Sequence, residues 1–119
     1  MSNFTPLVTR EYEFQGDSIS ITFSRLKRKD MLDAMPALSR LTAAKDAKDE
    51  TAQNDAMNDV LNGIVDVIPD YVKEFSGLND TDGNPIPIET VCAEFYFVKL
   101  TIQIAVGMLT ESSGKEGKA

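Results

Sequence analysis

The chain contains no histidine. That absence removes Ser-His-Asp and Cys-His nucleophilic machinery and every His-ligated zinc site. Cysteine is nearly absent too. Cys92 stands alone, so no intrachain disulfide can form, which fits a reducing compartment. Cys92 lies in an apolar stretch with no histidine to activate it, and reads as a buried structural thiol. Basic residues are in deficit: 12 Lys and Arg against 19 Asp and Glu leave a formal charge of −7, which disfavours nonspecific nucleic-acid binding. No apolar run is uninterrupted. The longest, Val91 to Leu109, carries Glu94, Lys99 and Gln103, and charges at that depth in a bilayer are costly. A soluble helix is expected there, with no membrane partner. The first residues, MSNFTPLVTREYEF, have neither a basic nor an apolar leader segment, so no signal peptide is expected. Nothing in the composition calls for a cofactor, and no catalytic constellation emerges.

What is present divides into recognisable segments. From Thr9 the chain alternates, with Tyr12 and Phe14 on one side and Glu11 and Glu13 on the other. After Gln15-Gly16-Asp17-Ser18, the residues Ile19, Ile21 and Phe23 alternate with Ser20, Thr22 and Ser24. Two alternating runs joined by a Gly/Asp turn predict a β-hairpin. Its apolar face must lie on the helices that follow. Met31, Met35, Leu38 and Leu41 form a helical stripe interrupted by Pro36, which predicts a kink between two pieces. The stretch TAAKDAKDETAQND has almost no large apolar residue and reads as a solvated helix surface or a connection. Ala56, Val60, Ile64, Val67, Tyr71 and Phe75 then predict a second helix. A kink is expected at Pro69, and a C-terminal stop at Gly77 with Leu78 beyond it.

The last helix is expected to start near Ile86 to Glu89, with Pro87 in its first turn. One apolar stripe runs Val91, Phe95, Val98, Ile102, Ala105, Leu109. A second runs Ala93, Phe97, Leu100, Ile104, Met108. A surface helix needs one stripe. Two readings follow. Either the helix is central and covered on both sides by its own chain, or the second stripe is a surface for self-association or partner binding. Residues 110–119, TESSGKEGKA, read as a disordered polar tail. The fold class is therefore α+β, mainly α: an N-terminal hairpin followed by a small bundle of three to four helices, in one domain over residues 1–109.

Three clusters are candidate sites. Asp80, Asp82, Gly83 and Glu89 fall at the third, fifth, sixth and twelfth positions of a calcium loop. Leu78 then occupies the first position, where calcium needs oxygen, and prolines 85 and 87 occupy the eighth and tenth. A turn at Asp82-Gly83 is the simpler reading. Arg25, Lys27, Arg28 and Lys29 form a basic cluster suited to docking an acidic partner, or a solvated face with Asp30 and Asp33. Asp46, Asp49, Glu50, Asp55 and Asp59 suggest a nucleic-acid mimic, but interspersed Lys45 and Lys48 favour a solvated face.

The order of elements carries a resemblance. The hairpin EYEFQGDSISITFSRLKRKD comes first, and helices follow. A glycine-terminated helix end, YVKEFSGLND, then leads through the turn DTDGNPIPIE into a long apolar helix, and a short charged tail ends the chain. Over Glu11 to Leu109 this resembles the tail assembly chaperones of long-tailed bacteriophages. The resemblance implies a non-enzymatic protein of the host cytoplasm, absent from the mature virion. It would bind the tape measure protein, and possibly the major tail protein, and act as a homo-oligomer. It also implies a longer product made by ribosomal slippage, for which Gly114-Lys115 and Gly117-Lys118 are candidate coding positions. The alternatives are a small acidic phage inhibitor, such as an anti-CRISPR or nucleic-acid mimic, and a structural tail or head-completion subunit.

Overall fold

A computed structural model describes residues 6–112; the candidate slippage positions lie outside this range. Strand β1 (Leu7–Phe14) turns into β2 (Asp17–Ser24) through Gln15 and Gly16, both at positive φ. The pairing is antiparallel, with Tyr12 opposite Ile19 and Arg10 opposite Ile21. Alternation then does what it predicts. Ile19, Ile21 and Phe23 are buried, while the serines and threonines between them turn outward.

Helix α1 (Arg28–Ala47) is a single helix, not two pieces. Pro36 lies on its solvent side, and so does Leu32 one turn earlier. The carbonyl that loses a partner there is within reach of water, so the helix continues. The buried residues of α1 are Ala34, Ala37, Leu41 and Ala44. Met31, Met35 and Leu38 only flank that line. Small residues allow close approach to α2 (Glu50–Ile64), which buries Ala56, Val60 and Ile64. Between the helices Lys48 adopts a left-handed conformation and Asp49 caps α2, accepting from the Ala52 N–H at 3.1 Å.

The expected helix over Ala56–Phe75 divides. After α2 comes a four-residue helix α3 (Ile68–Tyr71), with Pro69 in its first turn, and then strand β3 (Val72–Ser76). Strand β3 adds antiparallel to β2, giving a three-stranded sheet of order β1-β2-β3. Gly77 is therefore not a helix stop. A Cβ there would lie 2.3 Å from the Ser18 carbonyl oxygen, so only glycine lets the chain leave β3 past the start of β2.

The expected last helix also divides, into α4 (Ile88–Ala93), a 3-10 turn (Phe95–Phe97) and α5 (Val98–Ser112). The break at Glu94 is held by packing at the hairpin tip. Phe97 is buried 5.6 Å from Phe14, Tyr96 packs edge-on at 6.0 Å, and the Tyr96 hydroxyl donates to Gln15 Oε1 at 2.7 Å. The buried Thr101 hydroxyl lies 3.0 Å from both the Val91 and Phe97 carbonyls and ties α4 to α5 across the break. Helix α5 continues through Thr110, Glu111 and Ser112, where the sequence predicts a disordered tail. Glu111 and Ser112 meet Arg10, Arg25 and the Leu26 N–H.

One hydrophobic core spans sheet and helices. The architecture is α+β and mainly α. Among the described residues no helix is long and apolar enough to cross a membrane.

Candidate functional site

The second stripe of the last helix is core in the single chain. Phe97, Leu100, Ile104 and Met108 are buried, with Ile104 at 0% exposure; only Ala93 is exposed. This corrects the expectation of a docking surface there. The sheet, α1, α2 and α4 supply the cover, so the second stripe is explained within one chain. The first stripe is also largely enclosed: Val91, Ala105 and Leu109 are buried.

The exposed apolar residue of this region is instead Phe95, 85% exposed, beside Tyr96 at 65%. Both sit on the turn between α4 and α5. The two side chains differ in how they are held. Tyr96 is fixed by Phe14, Phe97 and Gln15, and nothing comparable holds Phe95 among the described residues. Beside Phe95 a cleft of about 240 Å³ opens between the end of α2 and the α4–α5 break, lined by Leu61, Val65, Cys92, Ala93 and Val98, with Asn62, Glu94 and Thr101 as its polar members. Burial, and secondarily the Glu89 carboxylate, push the Cys92 thiol up to about 11. It stays protonated near neutrality and serves as apolar lining, not as a nucleophile. A ring standing beside an apolar cleft can grip an apolar segment. In sequence this feature was hidden, because FYF continues a helical apolar pattern and gives no sign that the helix breaks.

The basic cluster does not act as one patch. Arg25 turns to the C-terminal end of α5 and donates to the Glu111 carbonyl oxygen, where a cation suits the helix dipole. Lys29 pairs with Asp33 at 3.2 Å on an exposed helix face. Lys27 and Arg28 are exposed, and the Lys27 backbone N–H donates to the Tyr71 hydroxyl at 3.1 Å. That hydroxyl in turn donates to Asp30 at 2.5 Å, joining the start of α1 to α3.

The calcium-like loop is organised as a turn. The Asp80 carboxylate accepts the Asp82 and Asn84 N–H groups, both at 2.9 Å, and Gly83 takes positive φ. Asn79 and Pro85 bridge across it. The acidic residues Asp46, Asp49, Glu50, Asp55 and Asp59 are exposed. Two of them have local partners: Asp49 caps α2, and Asp59 meets Arg40 at 2.8 Å. The chain matches no family model, no curated protein and no solved structure.

Proposed function

We propose that this chain is a non-enzymatic tail assembly chaperone of a long-tailed bacteriophage. In this reading it holds apolar segments of the tape measure protein in the host cytoplasm and is left out of the finished tail. The observation that carries the reading is the exposed Phe95–Tyr96 pair beside its apolar cleft, in a chain of net charge −7. An exposed aromatic grips an apolar client, and the charge keeps the loaded protein in solution. The family comes from the resemblance of the sequence over Glu11 to Leu109, in which YVKEFSGLND ends a strand and not the expected helix. A second copy is the other expected partner, and Phe95, unlike Ile104, is exposed enough to meet one.

Co-expression with tape measure fragments tests the proposal. The wild-type chain keeps fragments soluble and co-purifies with them. Phe95→Ser lowers the recovered complex at least tenfold with an unchanged melting temperature. Recovery unaffected by Phe95→Ser and Tyr96→Ser together, or the chain's presence in purified virions, overturns it.

A further inference from the structure

The sheet has two edges, and they are finished differently. Strand β3 is short, carries Lys73, and is irregular in its pairing with β2; all three features blunt an edge against unwanted pairing. Strand β1 has eight residues, without lysine, proline or a bulge; its charges, Arg10, Glu11 and Glu13, restrict which strand can pair with it and leave its backbone regular. The two-residue turn at Gln15-Gly16 closes Phe14 on Asp17 as a hydrogen-bonded pair. Hydrogen-bonded and non-hydrogen-bonded pairs alternate from there. Leu7, Thr9, Glu11 and Glu13 therefore direct their N–H and C=O groups away from β2, toward the open side. No strand pairs with that side among the described residues.

The surroundings of this edge specify what fits it. On the outer face of the sheet lie Glu11, Glu13 and Glu74 among serines and threonines, and neither β1 nor β2 puts a cation there; Lys73 is exposed at the irregularity of the far strand β3. On the inner side a cleft of about 340 Å³ is lined by Tyr12, Leu41, Met57, Ile102 and Val106, with the cations Arg10 and Lys45 also on its wall, which suits apolar side chains there and not basic ones. No residue of β2 or β3 lines it, so it lies beneath the free side of β1. Among the described residues the buried Tyr12 hydroxyl in this cleft has no hydrogen-bond partner in good geometry, with the Arg10 guanidinium over its ring at 5.8 Å.

We infer that β1 accepts an added strand from another protein, an extended segment alternating lysine or arginine with apolar side chains. The basic residues would face Glu11 and Glu13, and the apolar ones would enter the cleft under the edge. A second copy of this chain fits poorly. The two longest antiparallel registers that keep the faces matched set Arg10 on Arg10 or Glu11 on Glu11, and a parallel in-register pair sets every charge on its like. This inference is independent of the chaperone reading.

The probe is a short capped peptide alternating lysine and valine, titrated into the full chain and followed by amide chemical shifts. Shifts should concentrate on residues 7–14. Methylating the peptide's lysine backbone nitrogens keeps the charge but removes the bonding N–H groups, and should weaken binding at least tenfold. Thr9→Pro removes an outward donor of β1, keeps both glutamates, and should weaken binding to the same degree. Should that variant not fold, the methylated peptide carries the test. Glu11→Lys with Glu13→Lys should shift preference at least tenfold toward a glutamate–valine peptide. Undetectable binding at millimolar peptide, equal binding of the methylated peptide, or shifts centred on Asp49 and Asp55 would overturn the inference.

Discussion

Helix α5 and the α1–α2 limb are both helical and both carry apolar periodicity, yet they are held in different ways. Helix α5 buries Leu100, Ile104, Met108 and Leu109 completely and is covered on several sides. The limb buries mostly alanine along α1, and its outer face is open to water. Apolar stabilisation follows area removed from water, about 25 cal/mol per Å². A leucine in α5 therefore contributes far more than an alanine in α1. The limb gains instead from close helix approach and from its caps. Helix length is a poor guide to which element anchors a fold: α1 is the longer helix and the less deeply committed one.

Ile104→Asp tests this contrast most severely. A carboxylate at a fully buried position in the core has no partner, and the expected result is loss of the folded state by circular dichroism. A folded monomer arising from a larger wild-type species would restore the interface role for this stripe. Leu100→Ala should cost about 2–5 kcal/mol in urea unfolding. Ala37→Gly, in the limb, should cost about 1 kcal/mol. Hydrogen exchange sharpens the same point: α5 amides should open only with the whole molecule, and limb amides at lower free energy. The reverse order would break the comparison.

Asp49→Ala should cost about 1 kcal/mol by removing the cap on α2, with the loss of exchange protection confined to its first turn. The smallest effect is alkaline. Burial raises the Cys92 thiol from 9.0 to about 11, and Tyr71 is raised too, by burial and by its bond to Asp30. Folding thus favours the protonated forms. The Cys92 contribution is complete below about pH 9 and falls away as pH rises through 11, and the Tyr71 contribution is lost only above its ordinary phenol range. Urea midpoints should decline over that window, and Cys92→Ala should make the decline shallower.

Much of this was legible in the residues, and the remainder was illegible for identifiable reasons. The hairpin could be read because its period of two and its Gln15-Gly16 turn are local facts. Strand β3 could not, because Val72 and Phe75 also fit a helical spacing from Ile68 and Tyr71. What makes them a strand is the free edge of β2, some fifty residues earlier. Gly77 suits a helix stop and a close crossing alike, because both use a positive φ. The two stripes on the last segment were visible, but periodicity records that a face is apolar, not whose atoms cover it. The break at Glu94 depends on the hairpin tip, and so does the fixed position of Tyr96 beside exposed Phe95.

The contacts at the end of α5 have a consequence in time. Arg10 meets Glu111 across 101 positions, and the Leu26 N–H meets Ser112 across 86. Ribosomes add about 5–20 residues per second, so Arg10 waits roughly 5–20 s for Glu111 to be made. Through that interval β1 lacks the helix packed against it, and the core that Leu100, Ile104 and Met108 fill beside the sheet is incomplete. Each newly made copy therefore spends its first seconds with an unfinished apolar sheet, in the same need of shelter that the finished protein is proposed to relieve in others.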